Sequence, residues 1–494
     1  MRYFERCTPE EQGISSMDII RFLEEAKRNQ CHIHTFLLLR HGKVVAEGYQ
    51  FPYTSQDKRL LNSVSKTFTA LGVGIAYDEK RLKLEDKVIS YFPEYMSNKL
   101  NQKVDNMTIA HLLTMSTGHA SDSLFEICNE KDWIRAFLNM EITYKPGEKF
   151  QYDSGATFML SAILSRVTGM PLDEYLKTRL FDPLHIDYIW DRYEGITTGG
   201  WGLMLRPEDI AKLGILFLQN GTFEGQRIIS EEWLSMGSTK QIDTHEKEYR
   251  PDWAQGYGFQ MWRSVGNAFR ADGAFGQFCL MFPKENLIAV FTAEDGYSQE
   301  LLTTFYNNVV KKALDIPMAI DTNVYDKLSE LVCEMEKPFI YPATTSYLEQ
   351  GINGKKYIFK DELGGMNQEL MFNFAGSSLM LSIAGSQTIR SSKVTDIINE
   401  TSCIIEPATV LLTKEQRGRC WKYSAHHRWI NDTVLLLELC YIETGHSQQI
   451  FVEFRGKRLR LLVVNGCKRL LAVNGMEGNQ GMMFEDRVLE AETK

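Results

Sequence analysis

Two residues three apart carry the first chemistry in this chain: Ser63 and Lys66, in the stretch Ser63-Val64-Ser65-Lys66. On a helix, side chains at that spacing project from one face, which brings a hydroxyl within reach of an amine. A lysine held away from water loses its proton more readily and then serves as a base for the hydroxyl. The run that follows, Thr67 to Ala76, places Phe68, Leu71 and Ile75 at i, i+3 and i+7, the period of a buried helix face. Asn62 or Ser63 is expected to cap its first turn, since a short polar side chain accepts from the free backbone N–H groups there. Ser63 would then lie at the positive end of the helix dipole, where charge developing on an attacked carbonyl is stabilised. Alone, S-x-x-K is a common tetrapeptide, and its plain alternative is an ordinary helix start.

Two later stretches add groups that could complete such a site. Pro146 to Ser154 is a turn that delivers Tyr152 and Ser154 just before an apolar helical run containing Phe158, Leu160, Ile163, Leu164 and Val167, which stops at Gly169. A phenol can move a proton between hydroxyl, amine and leaving group where neighbouring positive charge lowers its pKa. Further on, Ala271-Asp272-Gly273-Ala274-Phe275-Gly276-Gln277 leads into Phe278 to Phe282. A second apolar run, Leu287 to Thr292, follows the turn Lys284-Glu285-Asn286. These two runs read as a hairpin of buried strands.

The ordered set resembles the serine β-lactamase and penicillin-binding-protein superfamily, in its class C-related, esterase-like branch. That pattern is S-x-x-K, then Y-x-N or Y-x-S, then a K-T-G or H-x-G strand. The resemblance covers roughly residues 1–315. Thr108 to Gly118, Leu180 to Leu184, Gly199 to Leu203 and Tyr257-Gly258-Phe259 add to it. It implies Ser63 as nucleophile, Lys66 as the acceptor of its proton and Tyr152 as proton shuttle. Ser154 stands where many relatives carry Asn, and would orient the substrate or Lys66. Asp272 and Gly273 are the second and third residues of the third motif, and the Ala274 N–H would join that of Ser63 in polarising the carbonyl.

The third motif departs from the pattern. Ala271 stands where a basic residue is usual, the one that helps hold a substrate carboxylate in the lactam-binding relatives. Asp272 adds a negative charge nearby, and strand alternation points Arg270 away from the face of Ala271. Neutral esters or amides are therefore expected as better substrates than penicillins. Trp201 and Tyr257 are candidates to line an acyl pocket, with plain core packing as the equal alternative. His119 reads as a loop histidine. The function implied is a serine hydrolase acting on ester or amide bonds through an acyl-enzyme. The alternatives are a β-lactamase or D-Ala-D-Ala carboxypeptidase, and a non-catalytic ligand sensor with an interaction domain.

The elements around these motifs imply an α+β fold: an antiparallel sheet flanked by helices, with a mainly helical subdomain and a separate C-terminal all-β barrel or sandwich. At 494 residues the chain is too long for one core. The expected division is a hydrolase domain over 1–316, a bridging helix over 317–337 with Leu328, Leu331, Val332 and Met335 on one face, and an accessory β domain over 338–494. In the last part, short alternating runs at Tyr357–Lys360, Leu370–Phe374, Leu379–Ile383, Val434–Leu439, Ile450–Phe454 and Leu459–Val464 read as strands.

A net charge of −9 argues against nucleic acid or an anionic membrane as the main partner; the resemblance implies a small-molecule ester, amide or lactam substrate. No apolar run is long enough to span a bilayer, and Met1 to Cys7 has no signal-peptide core. The nine scattered cysteines include no C-x-x-C pair and fit reduced thiols in a cytoplasmic protein. No cofactor is expected, since no P-loop or dinucleotide fingerprint occurs. No metal is expected either, because His426 and His427, as neighbours on a strand, would point to opposite faces.

Overall fold

The computed structural model describes residues 3–96, 104–244, 250–296, 298–338, 344–360, 367–376, 378–383, 387–392, 396–398, 422–465 and 487–493. Helix α1 (Ser16–Arg28) begins where the Ser15 side chain accepts the Met17 N–H. Strands β1 (Ile33–Arg40) and β2 (Lys43–Tyr49) form the first hairpin. A two-residue strand, β3 (Arg59–Leu60), runs into α2 (Ser65–Asp78). A helical middle follows and includes α3 (Ser154–Thr168), the short strand β4 (Met204–Leu205) and α4 (Pro207–Leu218). The chain then returns to the sheet through β5 (Trp262–Arg263), β6 (Phe269–Gly273), β7 (Gln277–Phe282) and β8 (Leu287–Ala293), and leaves it in α5 (Ser298–Asn308).

The result is one antiparallel six-stranded sheet in the order β2-β1-β8-β7-β6-β5. Its central strands read as continuous apolar runs because both faces are covered. On one face, Phe22 of α1 meets Phe291 of β8 and Phe305 of α5, with ring centroids 5.7 and 5.3 Å apart. On the other, Gly214 lets α4 approach β8 so closely that a Cβ there would press into the Ile288 side chain.

Every residue of α2 from Ser65 to Ala76 is buried, so this helix is a core element rather than an amphipathic surface one. Gln260 fastens it to its neighbours. The Gln260 carbonyl accepts from Thr67 Oγ1 of α2 at 3.0 Å, its Oε1 accepts from Thr157 Oγ1 of α3 at 2.6 Å, and its Nε2 donates to the carbonyls of Leu112 and Leu113. This brings the N-terminal ends of α2 and α3 together beside β6.

Helix α6 (Thr322–Met335) starts at Asp321, whose side chain accepts from Asn323 and Val324 N–H. Leu328 is buried, and Leu331, Val332 and Met335 pack partly buried against the same core as α1 and β2. The Phe51 N–H donates to the Met335 carbonyl at 2.7 Å. The expected bridging helix is thus part of the wall of the first core.

The C-terminal part is all β: β9 (Lys356–Lys360), β10 (Asn367–Ala375), β11 (Ser378–Ile383), β12 (Gln387–Ser392), β13 (Asp396–Ile398), β14 (Tyr423–Asn431), β15 (Val434–Tyr441), β16 (His446–Arg455), β17 (Arg458–Asn465) and β18 (Arg487–Thr493). They pair in the order β12-β11-β10-β9-β18-β17-β16-β15-β14-β13, and a further β12–β14 pairing closes the sheet on itself. Of the two architectures expected, this is the barrel. Alternate residues of β14 and β16 are buried, the pattern of strands with one face inward. His427 points into the buried side while His426 lies against Glu438 at 2.6 Å, so the two rings part as strand neighbours must.

The barrel docks on the β3–β4 ribbon. Leu60 and Met204, which pair across that ribbon, sit in the barrel's apolar cluster with Tyr423, Leu439 and Tyr441. The Leu60 N–H donates to the Glu443 carbonyl at 2.7 Å, and Lys422 Nζ donates to Asp57 Oδ1 at 2.6 Å. Leu60 is 4% exposed. We predict that Leu60→Ala costs about 2–5 kcal/mol, the range for a buried leucine truncation, and that denaturant unfolding shows the loss as one shifted transition rather than an early release of the barrel.

Candidate active site

Between Arg59 and Ala76 every residue is buried except Ser63, which opens toward solvent. It stands in a 3-10 turn, Asn62–Val64, that precedes α2. The helix has no side-chain cap, contrary to the expectation for Asn62 or Ser63. Asn62 is used elsewhere: it takes a left-handed φ of 49° and its Nδ2 donates to the Ala274 carbonyl at 3.1 Å. Ser65 Oγ closes the turn by donating to the Asn62 carbonyl at 2.6 Å.

Lys66 lies one turn on and is 2% exposed. Its Nζ donates to Ser63 Oγ at 3.0 Å, to Ser154 Oγ at 3.2 Å and to the Gly200 carbonyl at 2.9 Å. Burial lowers its pKa to about 8, against the pull of the Asp122, Asp153 and Asp272 carboxylates, which favour the charged amine. Near neutral pH an appreciable fraction is therefore the free amine, able to accept a proton from Ser63.

Tyr152 lies over the other side of Lys66, with Nζ 5.0 Å from the ring centroid. The ring stacks on Trp262 at 5.9 Å and meets Tyr257 edge-on at 6.4 Å. Its pKa is raised, so the condition named for a proton shuttle, a pKa lowered by neighbouring positive charge, is not met: burial dominates, a hydrogen bond with Ser63 opposes it, and Asp272 and Asp122 push it further up. The loss of water outweighs the Ser63 hydrogen bond, so the phenol keeps its proton.

Ser154 opens α3, and the preceding Asp153 caps that helix by accepting the Gly155 and Ala156 N–H groups. Behind Ser154 lies Asp122, which the sequence reading missed. Its Oδ2 accepts from Ser154 Oγ at 3.0 Å, and its Oδ1 from the Ser154 and Leu124 N–H at 2.8 and 3.0 Å. Burial raises its pKa to about 6, with Asp153 adding to the rise and Lys66 opposing it. Ser154 thus bridges the amine to a carboxylate. His119 is fully buried, with Nδ1 2.8 Å from Asp153 Oδ2. The capping rule offered a signal for Asp153; Asp122 sits in a loop with no periodic or motif signature.

The third motif lies on β6. Ala271 pairs with Cys279, whose Sγ donates to the Ile210 carbonyl of α4, so Ala271 and Gly273 share the face turned toward α4 and the Ser63 turn. Ala271 is fully buried there. Gly273 must be glycine, because a Cβ would collide with the Leu61 carbonyl two residues before Ser63. Arg270 and Asp272 occupy the opposite face, and Arg270 Nε donates to Asp272 Oδ2 at 2.8 Å. Arg270 is itself buried under Trp253, 4.4 Å from the ring centroid. Asp272 keeps a raised pKa, through burial opposed by Arg270.

Of the two aromatics proposed for the pocket, Tyr257 packs behind Tyr152. Trp201 lies in the helical core 5.9 Å from Trp133, with its carbonyl accepting from Trp190 Nε1. Among the described residues no group of acidic, histidine or cysteine side chains has the makings of a metal site.

Residues 26–309 match the family model described as Beta-lactamase, more than half of the chain. Over 269 residues the chain is 27% identical to the 6-aminohexanoate-dimer hydrolase of Paenarthrobacter ureafaciens, covering 50% of this chain and 67% of that protein. It is 29% identical over 140 residues to a Beta-lactamase of Escherichia coli (strain K12), covering 28% of this chain and only 36% of that relative's length. Among solved structures, a Bacillus anthracis protein assigned as a candidate 6-aminohexanoate-dimer hydrolase superposes with a TM-score of 0.50 at 19% identity, over 67% of this chain and 89% of that one. EstCE1, a hydrolase with promiscuous acyltransferase activity, does so with 0.50 at 16% identity, over 59% and 99%. At such identities the structural likeness is one of fold.

Lys66 titration should set the rising limb of the pH–rate profile. If its free amine serves as the base, kcat/KM should climb as pH rises through about 8. Asp122 stabilises the ammonium form, so Asp122→Asn, which keeps the Oδ1 acceptor, should move that limb toward lower pH. An unmoved limb would remove Asp122 from the proton balance.

Proposed function

The chain belongs to the Beta-lactamase family and is a serine hydrolase, and we propose that it cleaves neutral carboxylic esters or amides through an acyl-enzyme on Ser63. The observation that carries this reading is the contact of the one open hydroxyl of the Ser63 stretch with a buried amine that is partly deprotonated near neutral pH. In acylation Ser63 Oγ forms a bond to the acyl carbon while its proton passes to Lys66 Nζ. The tetrahedral adduct collapses by breaking the bond to the leaving oxygen or nitrogen, which takes a proton from the protonated Tyr152–Lys66 pair. Water then attacks the acyl carbon, its proton returns through Lys66 and Tyr152 to Ser63, and the acid leaves. Ser63 and Ala274 N–H groups are the proposed donors to the oxyanion. Support comes from the Asn62–Ala274 bond and the Gly273–Leu61 approach, which tie the two turns together.

The charge around the site favours a neutral acyl group. Ala271 supplies no cation, and the guanidinium of its neighbour Arg270 is bound to Asp272. An anionic lactam would surrender its hydration without a partner charge, which costs several kcal/mol and hence orders of magnitude in efficiency. A cytoplasmic location belongs to the same proposal. It rests on thiols such as Cys31 and Cys279, which are buried and free; cell fractionation tests it.

Ser63→Ala should abolish turnover and labelling by a fluorophosphonate, read by intact-protein mass. Tyr152→Phe should slow acylation by about 10²–10⁴-fold, the usual worth of general acid–base help. Equal labelling of wild type and Ser63→Ala would defeat the assignment. A second measurement compares a short-chain nitrophenyl ester with benzylpenicillin: the ester is expected to have the higher kcat/KM, and the reverse order would favour the lactamase reading.

A further inference from the structure

The turn between β15 and β16 of the barrel, together with the start of β16, reaches back to the ends of β6 and β8 of the hydrolase sheet. Ser447 donates from its N–H to Glu294 Oε1 at 3.0 Å and from its Oγ to Glu294 Oε2 at 2.7 Å. His446 Nδ1 lies 3.7 Å from Glu294 Oε1. The same histidine meets Phe275 edge-on, with ring centroids 4.6 Å apart. Gly445 sits so close to Arg59 that a Cβ would strike its Nη2. His446 and Glu294 are buried, 1% and 8% exposed, while Ser447 is half-buried.

What they hold is the turn Ala274-Phe275-Gly276. Phe275 takes a left-handed φ of 67°, unfavourable for a residue with a Cβ. Such a conformation persists where its surroundings over-determine it, and it gathers at functional sites. The Phe275 carbonyl accepts from Asp295 N–H at 3.1 Å and Gln277 Nε2 at 3.2 Å. Asp295 directly follows Glu294, the residue Ser447 grips. One side of the turn is thus set by the hydrolase sheet and the Asn62 side chain, and the other by the barrel.

We propose that His446 and Ser447 are positioning residues for the hydrolytic reaction: through Phe275 and Glu294 the barrel aims the Ala274 N–H at the oxyanion. This rests on the reading of that N–H as an oxyanion donor. The barrel is then not an appended binding module but a supporting half of the active-site frame.

The test uses the full chain with a nitrophenyl ester and compares His446→Ala, Ser447→Ala, His446→Phe and Leu437→Ala. A whole oxyanion donor is worth about 10²–10³-fold in kcat, so a displaced one should cost His446→Ala roughly tenfold in kcat, with KM nearly unchanged. Ser447→Ala, which keeps its N–H, should lose less. His446→Phe restores the edge contact and should recover most of the rate. Leu437→Ala truncates the barrel core away from the turn, so it should lower the unfolding midpoint while leaving kcat near wild type. An equal loss of kcat in Leu437→Ala and His446→Ala would reduce the barrel's part to general stability and overturn the proposal. A wild-type rate in His446→Ala would overturn it too. Fluorophosphonate labelling of the wild type separates the two levels. Labelled wild type with an unaffected His446→Ala removes only the positioning role; unlabelled wild type removes the Ser63 reading beneath it.

Discussion

A lysine ammonium on an almost wholly buried helix is the constraint around which this site is arranged. An unpaired buried charge is expensive, and a protein meets that cost by pairing the charge or neutralising it. Lys66 does both in part. It has three acceptors for its three protons, and burial brings its pKa to about 8. Each acceptor imposes a demand elsewhere. The Gly200 carbonyl is presented by a loop in which Gly199 takes a left-handed φ of 70° and its own carbonyl accepts from Thr69 Oγ1 of α2. Ser154 must stand at the first turn of α3, held by the Asp153 cap and by Asp122. Ser63 must leave the helix in a tighter 3-10 turn so that its oxygen meets the amine while the rest of α2 stays buried.

The second requirement is closeness between that turn and β6. Gly273 and the Leu61 carbonyl touch without room for a methyl group, and the Asn62 side chain closes the gap on the other side of Gly273. Only a sheet fixed on both faces can hold a strand so near a helix start. The aromatic contacts of α1 and α5 on one side, and α4 with Gly214 on the other, provide that rigidity. The barrel enters the same frame through Leu60 and Met204, the residues that flank the two segments on which Ser63 and Gly200 lie.

Ser63, Lys66, Tyr152 and Ser154 were legible because their spacing is local, and because each precedes or opens an apolar run whose helical period is plain. The β7–β8 hairpin was legible for the same reason, with a turn between two apolar runs. Asp122 was not. It reaches Ser154 through a loop whose path is set by tertiary contacts, and a single aspartate in a polar stretch carries no pattern. The direction of the Tyr152 shift was not legible because a sequence shows a nearby lysine but not the removal of water, which dominates here. In the C-terminal part, six strand runs could be read from alternation. Closure of the barrel through β12 and β14 could not, since pairing between distant strands leaves no local mark.

The charges around the site, taken with the mechanism, constrain what it accepts. Above about pH 8 Lys66 is neutral, while Asp122, whose pKa lies near 6, is ionised. Arg270 and Asp272 form an ion pair. The form of the site able to deprotonate Ser63 therefore carries Asp122 as an uncompensated negative charge two hydrogen bonds from the amine. On the proposed mechanism a substrate carboxylate would meet that charge as the base becomes competent, so the conditions that would activate Ser63 would also repel an anionic ligand. A neutral acyl group escapes this opposition. On the same proposal, the negative charge it develops on its own oxygen would be directed instead toward the backbone donors at the α2 start and the β6 end. In the proposed mechanism the carboxylate behind Ser154 would thus both oppose the effect of burial on the basicity of Lys66 and disfavour negatively charged substrates, a coupling that a cation at position 271 would have relieved.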